Sequence, residues 1–141
     1  MKIIVTSIGT RGDMEPLLAV GEILREKGHQ VFCLFPEQFR ELAEDSGFEF
    51  GSLGPRFIEM LESEVGQIAM GSGGSVLKKL VAFVKLALQQ KDINREMVRK
   101  QYEFVEQVAP DYIVHNGKVM YPVIWSLKHP GKTTLISPVP Y

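Results

Sequence analysis

Apolar residues recur along this chain in two spacings, which predict strands and helices in alternation. Three short runs, residues 2–8, 30–35 and 112–115, are almost continuously apolar and rich in β-branched or aromatic side chains. Runs of this kind are typical of parallel strands that are buried on both faces of a sheet. Two weaker strands are predicted around Phe48–Phe50 and over Thr133–Ile136.

The segments between these strands carry apolar residues at three- and four-residue spacing, which predicts amphipathic helices. Pro16 and Pro36 suit a first helical turn, and Gly28 suits a carboxy-terminal cap. Four glycines within residues 66–75 predict an irregular loop instead. The predicted helices run from Pro16 to just before Gly28, over Pro36–Ser46, Arg56–Glu64, from Ser75 to a bend or break at Gln89–Asp92, over Ile93–Val108 and over Met120–Leu127.

This alternation predicts an α/β fold, a Rossmann-like doubly wound parallel sheet. The chain has 141 residues and 45% hydrophobic content, which suits one domain spanning residues 1–141. Ligands of such sheets bind beyond the carboxyl ends of the strands, where the strand order reverses. The loop after the first strand and the loop after the strand that ends at His115 are therefore the expected places for a site.

The charge, cysteine content and apolar runs of the chain argue against several classes of function. Sixteen basic residues against 17 acidic ones leave no overall positive field, so no nucleic-acid partner is expected. The single cysteine, Cys33, lies in an apolar run and is expected to be a buried, reduced thiol. No apolar run approaches the roughly 20 residues that span a bilayer. A cytoplasmic location is the expectation, and the three histidines show no spacing that predicts a metal site.

The turn after the first strand has the composition of a ligand-contacting loop. Its residues, Gly9-Thr10-Arg11-Gly12-Asp13, combine two glycines that permit close backbone approach with a carboxylate. The glycine spacing does not match the G-x-G-x-x-G dinucleotide fingerprint, and the Gly-Lys-Ser/Thr of a phosphate-binding loop is missing. Attention therefore falls on the Asp13 side chain, either as a reacting group or as a cap of the following helix.

Longer stretches carry a resemblance to a known family. The octapeptide Gly9–Pro16, then Leu18-Ala19-Val20-Gly21 and Gly28-His29-Gln30-Val31, resembles the opening of family 28 and related family 1 glycosyltransferases with the GT-B fold. Asp111–Lys118 and Ile136–Pro140 resemble the later strands and the Ser-Pro-Val-Pro loop of sterol and macrolide glucosyltransferase-like proteins.

The resemblance implies the amino-terminal half of a two-domain, inverting enzyme. This half would hold a lipid, sterol, polyketide or other small hydroxyl acceptor. A carboxy-terminal domain beyond this chain would hold the co-substrate, a nucleotide sugar that the resemblance makes a UDP-sugar. No turnover is then expected of the chain alone, and no cofactor beyond the nucleotide sugar is expected.

The resemblance also implies a catalytic role for Asp13, as the general base that withdraws the proton of the acceptor hydroxyl. An ordinary aspartate pKa of about 3.9 is low for this work, so burial or a neighbouring acid would have to raise it. Acceptor contacts are expected from the turn and from the end of the later strand. The candidate acceptor-binding residues are Gly9, Thr10, Arg11, Gly12, His115 and Asn116.

Several alternatives remain open from the residues alone. His115 is equally well explained as a structural histidine, and Asn116 as a turn residue. A noncatalytic, flavodoxin-like binding or regulatory module is the alternative function for the whole chain. An apolar acceptor pocket is a further hypothesis, although each candidate residue also suits the core. These candidates are Phe57, Met60, Met70, Phe83 and Leu86.

Four lysines beside an apolar stripe allow a peripheral membrane contact. Lys78, Lys79, Lys85 and Lys91 lie in the helical tract that follows Ser75. Such a tract suits an anionic membrane surface, where lipid acceptors reside, and it equally suits a solvated helix face.

Overall fold

The structure is a computed structural model that describes residues 1–69, 71 and 75–137. Met70 and residues 138–140 of the Ser-Pro-Val-Pro loop, which carry predictions made above, lie outside the described residues. Within the described part, the strands are β1 (Lys2–Thr6), β2 (Gln30–Phe35), β3 (Glu49–Ser52), β4 (Tyr112–His115) and β5 (Thr133–Leu135). They form one sheet in the order β3-β2-β1-β4-β5, and every pair is parallel.

The sheet confirms the predicted Rossmann-like, doubly wound fold. β1 lies at the centre, with β2 on one side and β4 on the other, so the strand order reverses at β1. Alternate residues of β1 point to opposite faces, because successive side chains of a strand do so. Ile4 joins the apolar core on one face, and Ile3 and Val5 join the core on the other.

Helices cover both faces of the sheet. They are α1 (Arg11–Glu26), α2 (Arg40–Asp45, preceded by a 3₁₀ turn Glu37–Phe39), α3 (Arg56–Glu62), α4 (Glu64–Ala69), α5 (Val76–Val108) and α6 (Tyr121–Ser126). The helices α1 and α2 contribute Met14, Leu17 and Ala43 to one core. The long helix α5 contributes to the other core, together with Trp125 of α6.

The predicted start of α1 is wrong by five residues. The helix begins at Arg11 rather than Pro16, because Thr10 and Asp13 bond to each other across its first turn and nucleate it early. Pro16 then lies inside the helix. Its ring nitrogen cannot donate, so the helix gives up one hydrogen bond there.

Two predictions for the middle of the chain are also wrong. Helix α4 occupies the first part of the segment that was expected to be an irregular loop. Helix α5 continues for 33 residues without a break at Gln89–Asp92. The polar residues of that segment are exposed, and the inward stripe resumes at Ile93 in helical register, so nothing in the packing interrupts the helix. In the part of the chain that is described, neither α5 nor another helix is both long enough and apolar enough to cross a membrane.

Candidate functional site

The candidate site lies at the carboxyl ends of β1 and β4. Thr6 pairs with His115 in the parallel register. The Asn116 backbone N–H donates to the Thr6 carbonyl oxygen at 3.3 Å. The turn that follows β1 and the loop that follows β4 therefore face each other. This is the point where the strand order reverses, as predicted, and where open α/β sheets hold their ligands.

The Asp13 carboxylate closes the first turn of α1. Its Oδ2 accepts a hydrogen bond from the Thr10 backbone N–H at 2.8 Å, and the Thr10 hydroxyl oxygen lies 3.3 Å away. The Asp13 N–H donates in return to the Thr10 carbonyl oxygen at 2.9 Å. The capping role is therefore present, although it belongs to a helix that begins at Arg11. One carboxylate oxygen remains for other partners.

That second oxygen pairs with a lysine from the opposite loop. Lys118 Nζ donates to Asp13 Oδ1 at 2.7 Å. The Asp13 side chain is 10% exposed and the Lys118 side chain 56% exposed, so the carboxylate is fixed in the fold while the lysine reaches it from solvent. The Lys118 backbone N–H donates to Asn116 Oδ1 at 3.1 Å, which holds the start of the lysine's loop in place.

Opposing effects act on the pKa of Asp13. Burial alone would raise it, since a low-dielectric surrounding disfavours the anion. The hydrogen bonds from Lys118 and from the Thr10 amide, with the positive charge of Lys118, outweigh burial and hold the Asp13 pKa below its ordinary value. The raised pKa that a general base would need is therefore absent while Lys118 is in contact, because the charged neighbour of Asp13 is a base and not an acid.

Gly9 makes room for this ion pair. Its φ of +131° is a conformation that other residues rarely adopt. A Cβ built on Gly9 would overlap the Asp13 carboxylate, with the carboxylate carbon at 2.8 Å, and would lie 3.2 Å from Lys118 Nζ. The sequence predicted that a ligand could approach the backbone closely at Gly9. In the structure it is the Asp13 carboxylate that lies against the Gly9 backbone.

The other residues of the turn have different surroundings. Gly12 lies within α1, and a Cβ there would meet only Thr10 Oγ1 at 3.8 Å. The Arg11 side chain is 69% exposed and forms an ion pair with Glu15 at 2.7 Å. Of these residues Thr10 contacts Asp13, and the acceptor contacts of Thr10, Arg11 and Gly12 stay predictions.

Asn116 and His115 are buried at the end of β4, with 2% and 3% exposure. The side-chain Nδ2 of Asn116 donates to the Ser7 hydroxyl and to the Ile8 carbonyl oxygen, so it ties the β4 loop to the end of β1. His115 Nδ1 lies 2.9 Å from the Asn116 carbonyl oxygen. Both residues have the structural roles considered above, and their contact with an acceptor stays a prediction.

Lys118 is the residue of this site to which sequence reasoning gave no role. It lies three residues after β4, at the same edge of the sheet as Asp13. Its positive charge was the one feature of the sequence that could have suggested a pairing with Asp13. The pairing itself depends on a sequence separation of 105 residues.

A cavity of about 300 Å³ lies beside Lys118. Phe57, from the predicted apolar pocket, is among its lining residues, whereas Met60 and Leu86 pack in the core and Phe83 is 58% exposed on α5. The cavity's apolar walls and polar groups come from α3, α5 and the loops after β1 and β4. These lining residues are Ile8, Phe57, Gln90, Asn94, Met97, Val98, Gln101, Lys118, Val119 and Met120.

Metal-ligating side chains are dispersed. Within residues 1–69, 71 and 75–137, no three His, Cys, Asp or Glu side chains come together in a group that could hold a metal ion. The chemistry open to the site is that of a buried carboxylate, a largely exposed cation and an adjoining, mostly apolar cavity.

The comparison with family models identifies the class. Residues 3–125 match the glycosyltransferase family 28 N-terminal domain. The chain therefore belongs to this family, and the resemblance drawn from the sequence is confirmed.

Individual relatives agree with this assignment. O-Mycaminosyltylonolide 6-deoxyallosyltransferase of Streptomyces fradiae is 42% identical over 50 residues, which are 36% of this chain and 12% of that protein. Sterol 3-beta-glucosyltransferase of Saccharomyces cerevisiae (strain YJM789) is 33% identical over 64 residues, 45% of this chain and 5% of that protein. The matched region is thus a small part of the length of these relatives.

A solved structure supports the fold. The glycosyltransferase SsfS6 of Streptomyces sp. SF2575, complexed with thymidine diphosphate, superposes with a TM-score of 0.64 at 14% identity. The match covers 96% of this chain and 38% of that chain. The fold is therefore that of the amino-terminal half of a GT-B glycosyltransferase.

Replacing Gly9 tests whether the Asp13–Lys118 ion pair needs a residue without a Cβ at position 9. Gly9→Ala combines a disfavoured φ with overlap on Asp13, so we expect a loss of about 1–3 kcal/mol in the free energy of unfolding. Gly12→Ala is the matched control in the same turn, and it should leave stability unchanged or raise it by up to about 1 kcal/mol. Urea unfolding measures both. Equal effects of the two substitutions would contradict the geometry described for Gly9.

Removing Lys118 tests the electrostatics of Asp13 through pH. Because the folded pKa of Asp13 is lowered, its ionisation stabilises the fold above the unfolded value of about 3.8, and this stabilisation is lost as pH falls through the folded pKa. Lys118→Met should therefore cost about 1 kcal/mol or less at pH 7, since Lys118 is largely exposed to solvent screening. The cost should shrink near pH 3.

Urea unfolding at the two pH values checks this expectation. Lys128→Met removes one exposed lysine elsewhere and serves as the control. A cost for Lys118→Met that is the same at both pH values, or that matches the control, would be inconsistent with the Asp13–Lys118 pair.

Proposed function

We propose that this chain is the acceptor-binding half of an inverting, nucleotide-sugar-dependent glycosyltransferase. The observation that carries the proposal is the placement of a buried carboxylate, Asp13, at the strand-order reversal, beside Lys118 and the apolar cavity that Lys118 lines. Membership of the family favours this function over a noncatalytic binding module.

The proposed chemistry begins with proton transfer from the acceptor hydroxyl to Asp13. As the proton leaves, the hydroxyl oxygen attacks the anomeric carbon of the sugar, and the bond from that carbon to the nucleotide diphosphate breaks. A single displacement of this kind inverts the anomeric centre. General base catalysis of this type contributes about 10²–10⁴-fold to the rate.

Lys118 governs when Asp13 can accept a proton. While Nζ donates to Oδ1, the carboxylate is a weakened base. If the exposed lysine moves away, its hydrogen bond and its positive charge no longer lower the pKa of Asp13, so the carboxylate becomes a stronger base than it is in contact with Lys118. Displacement of Lys118 is therefore a condition of base catalysis in our proposal.

The two substrates come from different parts of the enzyme in this proposal. The acceptor is a small hydroxyl compound, such as a sterol, polyketide or other lipid, that enters the cavity lined by Ile8, Phe57 and Val119. The donor, which we propose to be a UDP-sugar, is bound mainly by a further domain. The thymidine diphosphate complex of SsfS6 supports a nucleoside diphosphate as the leaving group.

Asp13→Asn tests the base directly in an enzyme that contains this domain and its donor-binding partner. Asparagine keeps the shape of aspartate and cannot take up the proton, so kcat/KM should fall by about 10²–10⁴-fold. Asp111→Asn is the matched control, because Asp111 bonds the Lys2 amide at the opposite end of the sheet. Product formation from UDP- and dTDP-sugars with a panel of hydroxyl acceptors is the measurement.

Two further arms make this experiment decisive. Unfolding temperatures of both variants show whether any loss of turnover comes from unfolding. The 141-residue chain alone should form no product, since the proposal assigns donor binding to another domain. Near-normal turnover by Asp13→Asn would refute the base, and product from the chain alone would refute the division of substrates.

We also propose a peripheral membrane contact by the first half of α5. This part of the helix exposes apolar side chains, with exposure of 86% for Val76, 71% for Leu77 and 67% for Leu88. Exposed lysines interrupt the apolar surface at Lys78 and Lys85. Apolar side chains next to cations suit the interface of an anionic bilayer.

Vesicle cosedimentation tests this contact. The chain should bind phosphatidylcholine vesicles that contain phosphatidylglycerol and should bind pure phosphatidylcholine weakly. Each lysine near an anionic surface contributes about 1 kcal/mol, so changing Lys78, Lys85 and Lys91 together to glutamine should lower binding by at least about tenfold. The same changes at Lys27, Lys128 and Lys132 provide the control. Equal binding to vesicles with and without phosphatidylglycerol would rule out the proposed contact.

A further inference from the structure

One polar residue interrupts the buried stripe of α5. The inward positions of the second half of this helix are Ile93, Met97, Gln101, Val105 and Val108. Gln101 is only 3% exposed. The spacing of this stripe calls for an apolar residue at position 101, because every neighbouring inward position carries one.

The stability of the fold does not account for Gln101. Its Oε1 is buried and has no hydrogen-bond partner among the described residues. Burying an amide oxygen without a partner is unfavourable, whereas a methionine of similar length would fill the same space without that penalty. An unpaired buried polar atom is uncommon in folded proteins and calls for an explanation.

The position of Gln101 supplies that explanation. Gln101 lines the 300 Å³ cavity, and so does Lys118, whose Nζ holds Asp13. Its other lining residues are mostly apolar, such as Met97 and Val119, and include the polar Gln90 and Asn94. A polar group in an apolar cavity fixes the orientation of a ligand and selects among similar ligands.

We infer that Gln101 is a specificity-determining residue for the acceptor. Its terminal amide hydrogen-bonds a second polar group of a molecule whose reacting hydroxyl lies at Asp13. The acceptor class is then compact and largely apolar, with a second polar group, such as a hydroxyl, besides the reacting hydroxyl. This inference rests on the proposed function, since it takes Asp13 as the site of the reacting hydroxyl.

Binding of matched probes tests this inference without a nucleotide sugar. A naphthalenediol and the corresponding naphthol are small enough for the cavity and differ by one hydroxyl. The wild-type chain should bind the diol about five- to tenfold more tightly, which is the effect of one hydrogen bond. Gln101→Met should remove this preference and leave the affinity for the naphthol within about twofold. Isothermal titration calorimetry measures the affinities.

Two controls separate recognition from a structural role. Gln89→Met makes the same change at an exposed position of the same helix and should keep the preference. Gln101→Met should unfold at the same temperature as the wild type or higher, since it removes a buried, unpaired oxygen. A clear fall in its unfolding temperature would identify Gln101 as structural and overturn the inference.

The binding data give equally definite outcomes. Equal affinity of the wild type for diol and naphthol, or binding of neither, overturns the inference, as does a preference that survives in Gln101→Met. Transfer assays on the complete enzyme keep the two proposals apart. Failure of transfer with the preference intact contradicts the transferase assignment, whereas transfer with no dependence on Gln101 contradicts only the role of Gln101.

Discussion

The contact between the Asp13 carboxylate and the Lys118 ammonium joins the two halves of the sheet where its strand order reverses. Asp13 belongs to the turn after β1, and Lys118 belongs to the loop after β4. Gly9 leaves the space in which this contact forms, and Asn116 ties the two loops to each other. The ionisation of the carboxylate depends on this pair, and Lys118 also lines the adjoining cavity.

The pair also explains how a buried carboxylate stays ionised in the folded domain. A buried anion without a partner would be costly, and it would take up a proton instead. Thr10 and Lys118 keep Asp13 ionised and fixed in one orientation. The same contacts that stabilise the anion weaken it as a base, so a reaction through Asp13 requires the exposed lysine to move. The carboxylate is fixed by its contacts, whereas its partner is largely exposed to solvent.

Local patterns predicted much of this fold and less of the site. β2 and β4 have the predicted bounds because their apolar runs end at polar residues and turns. The start of α1 and the continuity of α5 were mispredicted, since capping by Asp13 and the packed stripe beginning again at Ile93 override the local preferences of Pro16 and Gln89–Asp92. The partner of Asp13 lies 105 residues away, and the burial of Gln101 depends on tertiary packing. Neither has a local pattern that could reveal it.

The central claim is that Asp13 is the general base and that Lys118 sets its pKa. The pH dependence of kcat/KM in an enzyme with both domains tests it most directly, because this profile reports the ionisation of the free enzyme's essential base. Activity should fall at low pH as Asp13 takes up a proton, and Lys118→Met should move this acidic limb to higher pH. An acidic limb that lies at the same pH in the wild type and in Lys118→Met would contradict the account.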